Sequence, residues 1–157
     1  MEDKTNVMRI LDQKKIKYIP HTYNPEEAVS GTEVAAILNQ DPAKVFKTLV
    51  TVGKTGNHYV FVIPAETELD LKKAAKTVGE KSIDMLKSKD LLPLTGYVHG
   101  GCSPIGMKKF FRTTFHKSAA DCDTICVSAG RRGYQVELTL NDFAKVIRFE
   151  TADVIVD

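Results

Sequence analysis

Residues 43–64 constrain the fold more than any other stretch: two apolar runs, AKVFKTLVTV and HYVFVIP, flank the turn sequence GKTGN. Both runs are rich in the β-branched and aromatic side chains that suit a pleated, half-buried surface, and the glycine-containing link predicts an antiparallel hairpin. Alternation along the first strand puts Val45, Lys47, Leu49 and Thr51 on one face, with Phe46, Thr48, Val50 and Val52 on the other. Lys47 therefore has apolar neighbours on its own face. Two readings stand: an edge or snorkelling lysine that keeps its head in water, or a cation at the floor of a pocket holding an anionic group.

Other segments follow by local chemistry. Val7, Ile10, Leu11 and Lys14 keep helical spacing, which predicts an amphipathic helix near residues 4–16. KYIPHTY is a short strand whose Pro20 belongs at an edge or an end. NPEEAVSG is a loop, and SGTE (Ser30 to Glu33) has the form of a capping box before VAAIL. Asp70 caps LKKAAKTV, which ends at Gly79. SIDMLKSKDLLP reads as a short helix, YVHGGCSPIGMKK as a glycine-rich loop, and the stretch from TTFHK to ELTL as two or three strands. NDFAKVIRF predicts a terminal helix and ADVIV a last strand. Helices and strands alternate irregularly, without repeated βαβ units. The expected fold is α+β, with a curved mixed or antiparallel β-barrel-like sheet and surrounding helices, in one domain over 1–157.

A formal net charge of only +2 announces no bulk nucleic-acid binder, though a local basic surface stays open. No apolar run has the length of a membrane span. MEDKTNVMRILDQKK lacks a secretory apolar region, and Cys102, Cys122 and Cys126 are odd in number; both features favour a reducing, cytoplasmic setting.

Catalytic motifs are few. GGCSPIG, residues 100–106, could aim backbone N–H groups at an oxyanion or phosphate, or simply connect two elements. VSAGRRGYQVEL, residues 127–138, turns at Arg131 and Arg132, which are either solvated or set against RNA phosphates. Lys72, Lys73, Lys76, Lys108 and Lys109 belong with them as candidate phosphate contacts. His99 stands three residues before Cys102, but a nucleophile and its base are defined in space, and a buried inert thiol is the commoner outcome. His99, Cys102, His116, Cys122 and Cys126 lack any paired CxxC spacing, so no metal or other cofactor is expected. Cys122 and Cys126 can share one strand face as small core residues.

Taken in order, VFKTLV, GGCSPIG and VSAGRRGYQVEL, together with HTY, LDLKKAAK and DFAKV, resemble the YbaK/EbsC family of aminoacyl-tRNA deacylases, which is related to the editing domain of bacterial prolyl-tRNA synthetases. The resemblance runs nearly end to end. It implies hydrolysis in trans of the ester joining a wrong amino acid to tRNA, foremost cysteine on proline tRNA, with the substrate's own thiol attacking the carbonyl. Lys47 corresponds to the family's motif lysine. Tyr23, Thr48, Gly100, Gly101 and Ser128 match substrate-pocket positions. Ser30 and Gln135 occupy pocket positions where close relatives tend to carry a bulky aromatic and an acidic residue, which opens another small amino acid such as alanine as substrate. The implied partners are the aminoacyl-tRNA 3′ end and prolyl-tRNA synthetase, with no DNA and no membrane. A non-catalytic tRNA- or nucleotide-binding module is the reading from a different class.

Overall fold

A computed structural model describes residues 4–157. Thr5 caps the first helix, α1 (Asn6–Gln13), whose apolar stripe buries Val7, Met8 and Leu11. β1 (Ile19–Thr22) follows, then α2 (Gly31–Ile37), which starts on the full Ser30–Glu33 capping box. The hairpin forms as its sequence dictates: β2 (Phe46–Gly53) pairs antiparallel with β3 (His58–Pro64) in unbroken register, Lys47 opposite Ile63. α3 (Leu71–Val78) runs from its Asp70 cap to Gly79, which takes the left-handed φ of 77° that ends many helices.

The rest of the chain supplies β4 (Ile83–Met85), α4 (Ser88–Thr95), β5 (Arg112–His116), β6 (Ile125–Ser128), β7 (Tyr134–Leu138), α5 (Leu140–Phe143) and β8 (Glu150–Ala152). Two expectations change here. SIDM is an edge strand on β2, not the start of a helix, because its backbone completes the hairpin's open side. The terminal helix is a single turn capped by Thr139.

The fold is α+β with two sheets, ordered β1-β7-β6 and β4-β2-β3-β5-β8. The larger is mixed, since β3, β5 and β8 run parallel. Both sheets are open, and one isolated bridge, Val45 to Cys126, joins them, so the expected barrel-like closure is not formed. Pro20 lies on β1, an edge strand, where its missing N–H costs no ladder bond.

The main core fills the space between the sheets, with Phe46, Val50, Val60, Val62, Phe115, Ile125, Val127 and Val136 against α1. The opposite face of the larger sheet, carrying Phe61 and Ile63, packs on Ala74, Ala75 and Val78 of α3. Glu80 closes that side: its carboxylate accepts from the Tyr59 hydroxyl at 2.6 Å and from the Thr55 amide at 3.2 Å, and also from the Thr55 hydroxyl. No helix among the described residues is long and apolar enough to cross a membrane.

Candidate active site

The site is assembled by register. The parallel bridge between Val45 and Cys126 brings the start of β2 beside β6; two residues further along each chain come Lys47 and Ser128. Ser128 pairs with Gln135 on β7, and Gln135 with His21 on β1. Opposed residues share a face. Ser128, Gln135 and His21 thus form one row across the smaller sheet, and Lys47, two residues past the bridge on the larger sheet, lies on the same side, away from the main core.

The Lys47 side chain is half-buried, and its ammonium makes no hydrogen bond or ion pair among the described residues. Burial holds its ammonium below the usual lysine pKa, with the Glu68 carboxylate pulling in the opposite direction. A partly desolvated cation without a partner costs the fold something, so the pocket reading fits better than a snorkelling edge residue. At Lys47, β2 is paired on one side with Ile63 of β3, while β4 reaches only Thr51–Gly53 at the other end of the strand.

The other expected residues divide. Thr48 follows Lys47 in an unbroken ladder, so its side chain lies on the opposite face; its hydroxyl is enclosed and has no partner among the described residues. Ser30 is exposed, and its hydroxyl accepts from the Glu33 amide at 3.2 Å, the capping role that competes with substrate binding. Ser128 is half-buried, with its hydroxyl accepting from the Gly130 amide at 3.1 Å. Tyr23, just beyond β1, is half-buried, and its amide donates to the Gly133 carbonyl.

Gly100 and Gly101 meet the arginine turn. A Cβ on Gly101 would stand 3.2 Å from the Arg132 amide nitrogen, so only glycine allows these two backbones to approach. The Gly101 N–H already donates to Val98 and is not a free oxyanion donor. Arg132 reaches the Pro25 carbonyl at 3.2 Å, and Arg131 stacks over the Tyr134 ring at 4.3 Å. Tyr23, the glycine pair and the arginines therefore form one rim beyond the Ser128 end of β6. Lys73 is elsewhere, held by Asp153, Asp157 and the Ile155 carbonyl.

Gln135 is 3% exposed and forms a reciprocal amide pair with Gln40, which sequence reading missed because no local pattern marks a contact of this range. The pair ties the segment after α2 to β7. Gln40→Ala strands half of a buried amide and is expected to cost about 1–3 kcal/mol in chemical denaturation. Replacing both glutamines by leucine should recover most of that loss, and a neutral Gln40→Ala would remove the pair from the account.

The thiols are quiet. Cys102 is 9% exposed, and burial pushes it up to about 12, which disfavours the nucleophile reading. Cys126 is buried in β6, whereas Cys122 precedes that strand and does not share its face. A cleft of about 500 Å³ is lined by Lys44, Glu66, His116, Ser118 and Cys122 among others, and Lys47 is not part of its lining.

The aminoacyl-tRNA editing domain family matches residues 25–146. The chain belongs to that family. A relative in Enterococcus faecalis, provisionally named Cys-tRNA(Pro)/Cys-tRNA(Cys) deacylase EbsC, is 48% identical to this editing domain over 138 residues, 87% of this chain and 84% of that protein. The proline–tRNA ligase of Thermosipho africanus is 28% identical over 98 residues, covering 62% of this chain and 17% of the ligase. A crystal structure described as a candidate trans-editing enzyme for prolyl-tRNA synthetase superposes with a TM-score of 0.85 at 19% identity, covering 99% of this editing domain and all of that chain. A hypothetical protein, APE2540, superposes with a TM-score of 0.86 at 19% identity, over 96% of this chain and 99% of its own. These two likenesses carry the fold.

Proposed function

We propose that this chain is a trans-editing aminoacyl-tRNA deacylase, acting as one domain over 1–157, whose preferred substrate is Cys-tRNA(Pro). The observation that carries the reading is Lys47, an unpaired, partly desolvated cation on the same side as the row of Ser128 and Gln135, in a chain 48% identical to a provisionally named deacylase. Lys47 anchors the anionic aminoacyl-adenosine end and stabilises negative charge developing at the ester. Tyr23, Ser30, Gly100, Gly101, Ser128 and Gln135 shape the pocket, and Thr48 contributes through its backbone on Lys47's strand.

No protein nucleophile is required. The substrate sulfur attacks its own ester carbonyl, the C–S bond forms, and the ester C–O bond breaks. The ribose oxygen leaves with the thiol's proton, and water opens the resulting thiolactone. Orientation of sulfur against carbonyl can contribute on the order of 7 kcal/mol or more. Charge stabilisation at the oxyanion adds roughly 3 kcal/mol. The 3′ end of the tRNA enters over the Arg131–Arg132 rim, and a prolyl-tRNA synthetase is the natural source of the mischarged substrate.

Ester cleavage of Cys-tRNA(Pro) beside Ala-tRNA(Pro) tests this, with wild type, Cys102→Ala and a chelator control. Cysteine should be released rapidly, and neither Cys102→Ala nor chelator should slow it. A preference for alanine would exclude the substrate-thiol step. Bound tRNA with no turnover on either substrate would make the chain a binding module instead.

A further inference from the structure

On the same face of the smaller sheet, Cys126 and Glu137, one row from Ser128 and Gln135, converge with His21 of the Ser128–Gln135 row. Cys126 of β6 pairs with Glu137 of β7, and His21 of β1 sits diagonally across from Glu137 through its own pairing with Gln135. One ligand atom from each lies within 4.8 Å of the others, and His21 Nε2 stands 2.8 Å from Glu137 Oε1. Imidazole nitrogen, carboxylate oxygen and thiolate sulfur are the donors zinc takes, three of them leaving a fourth position for water.

Two further observations fit an ion here. The second oxygen of Glu137 accepts from the Thr124 hydroxyl, the kind of outer support that orients ligating carboxylates. The His21 and Glu137 side chains are 24% and 17% exposed while Cys126 is 2% exposed, so the group is anchored in the core and open at one edge. Lys44 is the facing cation whose charge reaches both Cys126 and Glu137. With thiolate and carboxylate ionised, two negative charges meet the two positive charges of the ion.

We propose that His21, Cys126 and Glu137 form a site for a divalent cation of the zinc class, which clamps β1, β7 and β6 together. On binding, metal–nitrogen, metal–oxygen and metal–sulfur bonds form; the Cys126 proton passes to solvent, and His21 coordinates through Nε2 with its proton on Nδ1. No redox change is involved. The ligands come from three strands, one each, which is why no CxxC spacing marks them in the sequence. The clamp shares the sheet face of the candidate site through His21, but no step of ester cleavage runs through its ion, so the two readings are tested separately.

Titrating Co2+ into the metal-free chain tests it. One Co2+ per chain should bind with a thiolate-to-cobalt charge-transfer band and the visible bands of a tetrahedral site, both displaced by Zn2+. Cys126→Ser should abolish the charge-transfer band, His21→Ala should weaken binding at least about tenfold, and Cys122→Ser should change neither. Zn2+ should also raise the melting temperature of wild type but not of His21→Ala. Because Cys126 is buried, Glu137→Gln provides a milder variant, checked for folding by circular dichroism and expected to bind at least about tenfold more weakly. Absence of a thiolate band at saturating Co2+, a band that persists in Cys126→Ser, or unchanged affinity in folded Glu137→Gln would each overturn the site.

Discussion

Lys47→Met is expected to reduce kcat/KM for Cys-tRNA(Pro) by about 100-fold or more while raising the melting temperature. On the proposed reading, the activity loss follows from removing the charge set against the developing oxyanion, an effect of roughly 3 kcal/mol in comparable sites. The stability gain follows from the environment of that charge. The Lys47 side chain is half-buried, and its ammonium has no hydrogen bond or ion pair among the described residues and is held below the ordinary lysine pKa of 10.5 by burial, with Glu68 only partly compensating. Methionine has similar length and no desolvation cost. The sign can be checked with pH. A folded-state lysine pKa below the unfolded one destabilises the fold fully at pH values under the lowered pKa. That penalty shrinks as pH rises through the lowered value and is gone above 10.5. The gap between Lys47→Met and wild type should therefore be widest near neutrality and close in alkali. Measuring kcat/KM and melting temperature on the same preparations decides the matter: activity and stability falling together would make Lys47 a structural residue, and retained activity would remove it from the site.

Glu80→Ala should do the reverse, lowering the melting temperature by about 5 °C or more without changing deacylation per folded molecule. Glu80 follows the Gly79 helix end and projects under the hairpin turn, where Tyr59, the Thr55 hydroxyl and the Thr55 amide all donate to it. Alanine leaves three donors without their acceptor, two on Thr55 in the turn of the hairpin that carries Lys47 and one on Tyr59 of β3. The Thr55 and Tyr59 hydrogen bonds hold the Glu80 carboxyl below the usual 4.5 against the effect of burial. A depressed carboxyl pKa stabilises the fold above the unfolded value and loses that contribution as pH falls through the folded one. Acid unfolding should thus begin at lower stability in Glu80→Gln, and the difference from wild type should vanish at the acid end. Thermal scans between pH 7 and pH 3 would show it; parallel curves would dissociate the carboxylate from acid stability.

Local chemistry makes much of the fold legible in the sequence. The hairpin, the Ser30–Glu33 capping box and the Asp70-to-Gly79 helix depend on neighbours within a few residues, and each forms as written. SIDM fails for the opposite reason: its conformation is chosen by the open edge of β2, far away in sequence. The barrel-like expectation assumed one continuous sheet, but the described residues divide into two joined at a single bridge. Lys47 was visible as a charge out of place on an apolar strand. Gln40, Glu68 and the His21–Glu137 contact were not, because each acquires its meaning from strand register and from segments packed across the fold. Thr48 shows the limit of motif matching, since adjacency to Lys47 in sequence puts its side chain on the other side of the sheet.

Around the bridge between Val45 and Cys126, the packed apolar neighbours among the described residues are Ala35 and Ala65, a seam of small side chains. Gly31 presses the start of α2 onto that seam so tightly that a Cβ would stand 2.5 Å from the one on Ala65. Lys47 belongs to one sheet and Ser128 to the other, so the seam is the fulcrum on which the aperture between them is set. Bulk added at position 31 or 65 wedges the jaws apart, and bulk removed at 45 lets them close. If the proposed pocket holds, the width it offers to an amino acid can in this way be retuned by residues that never touch it.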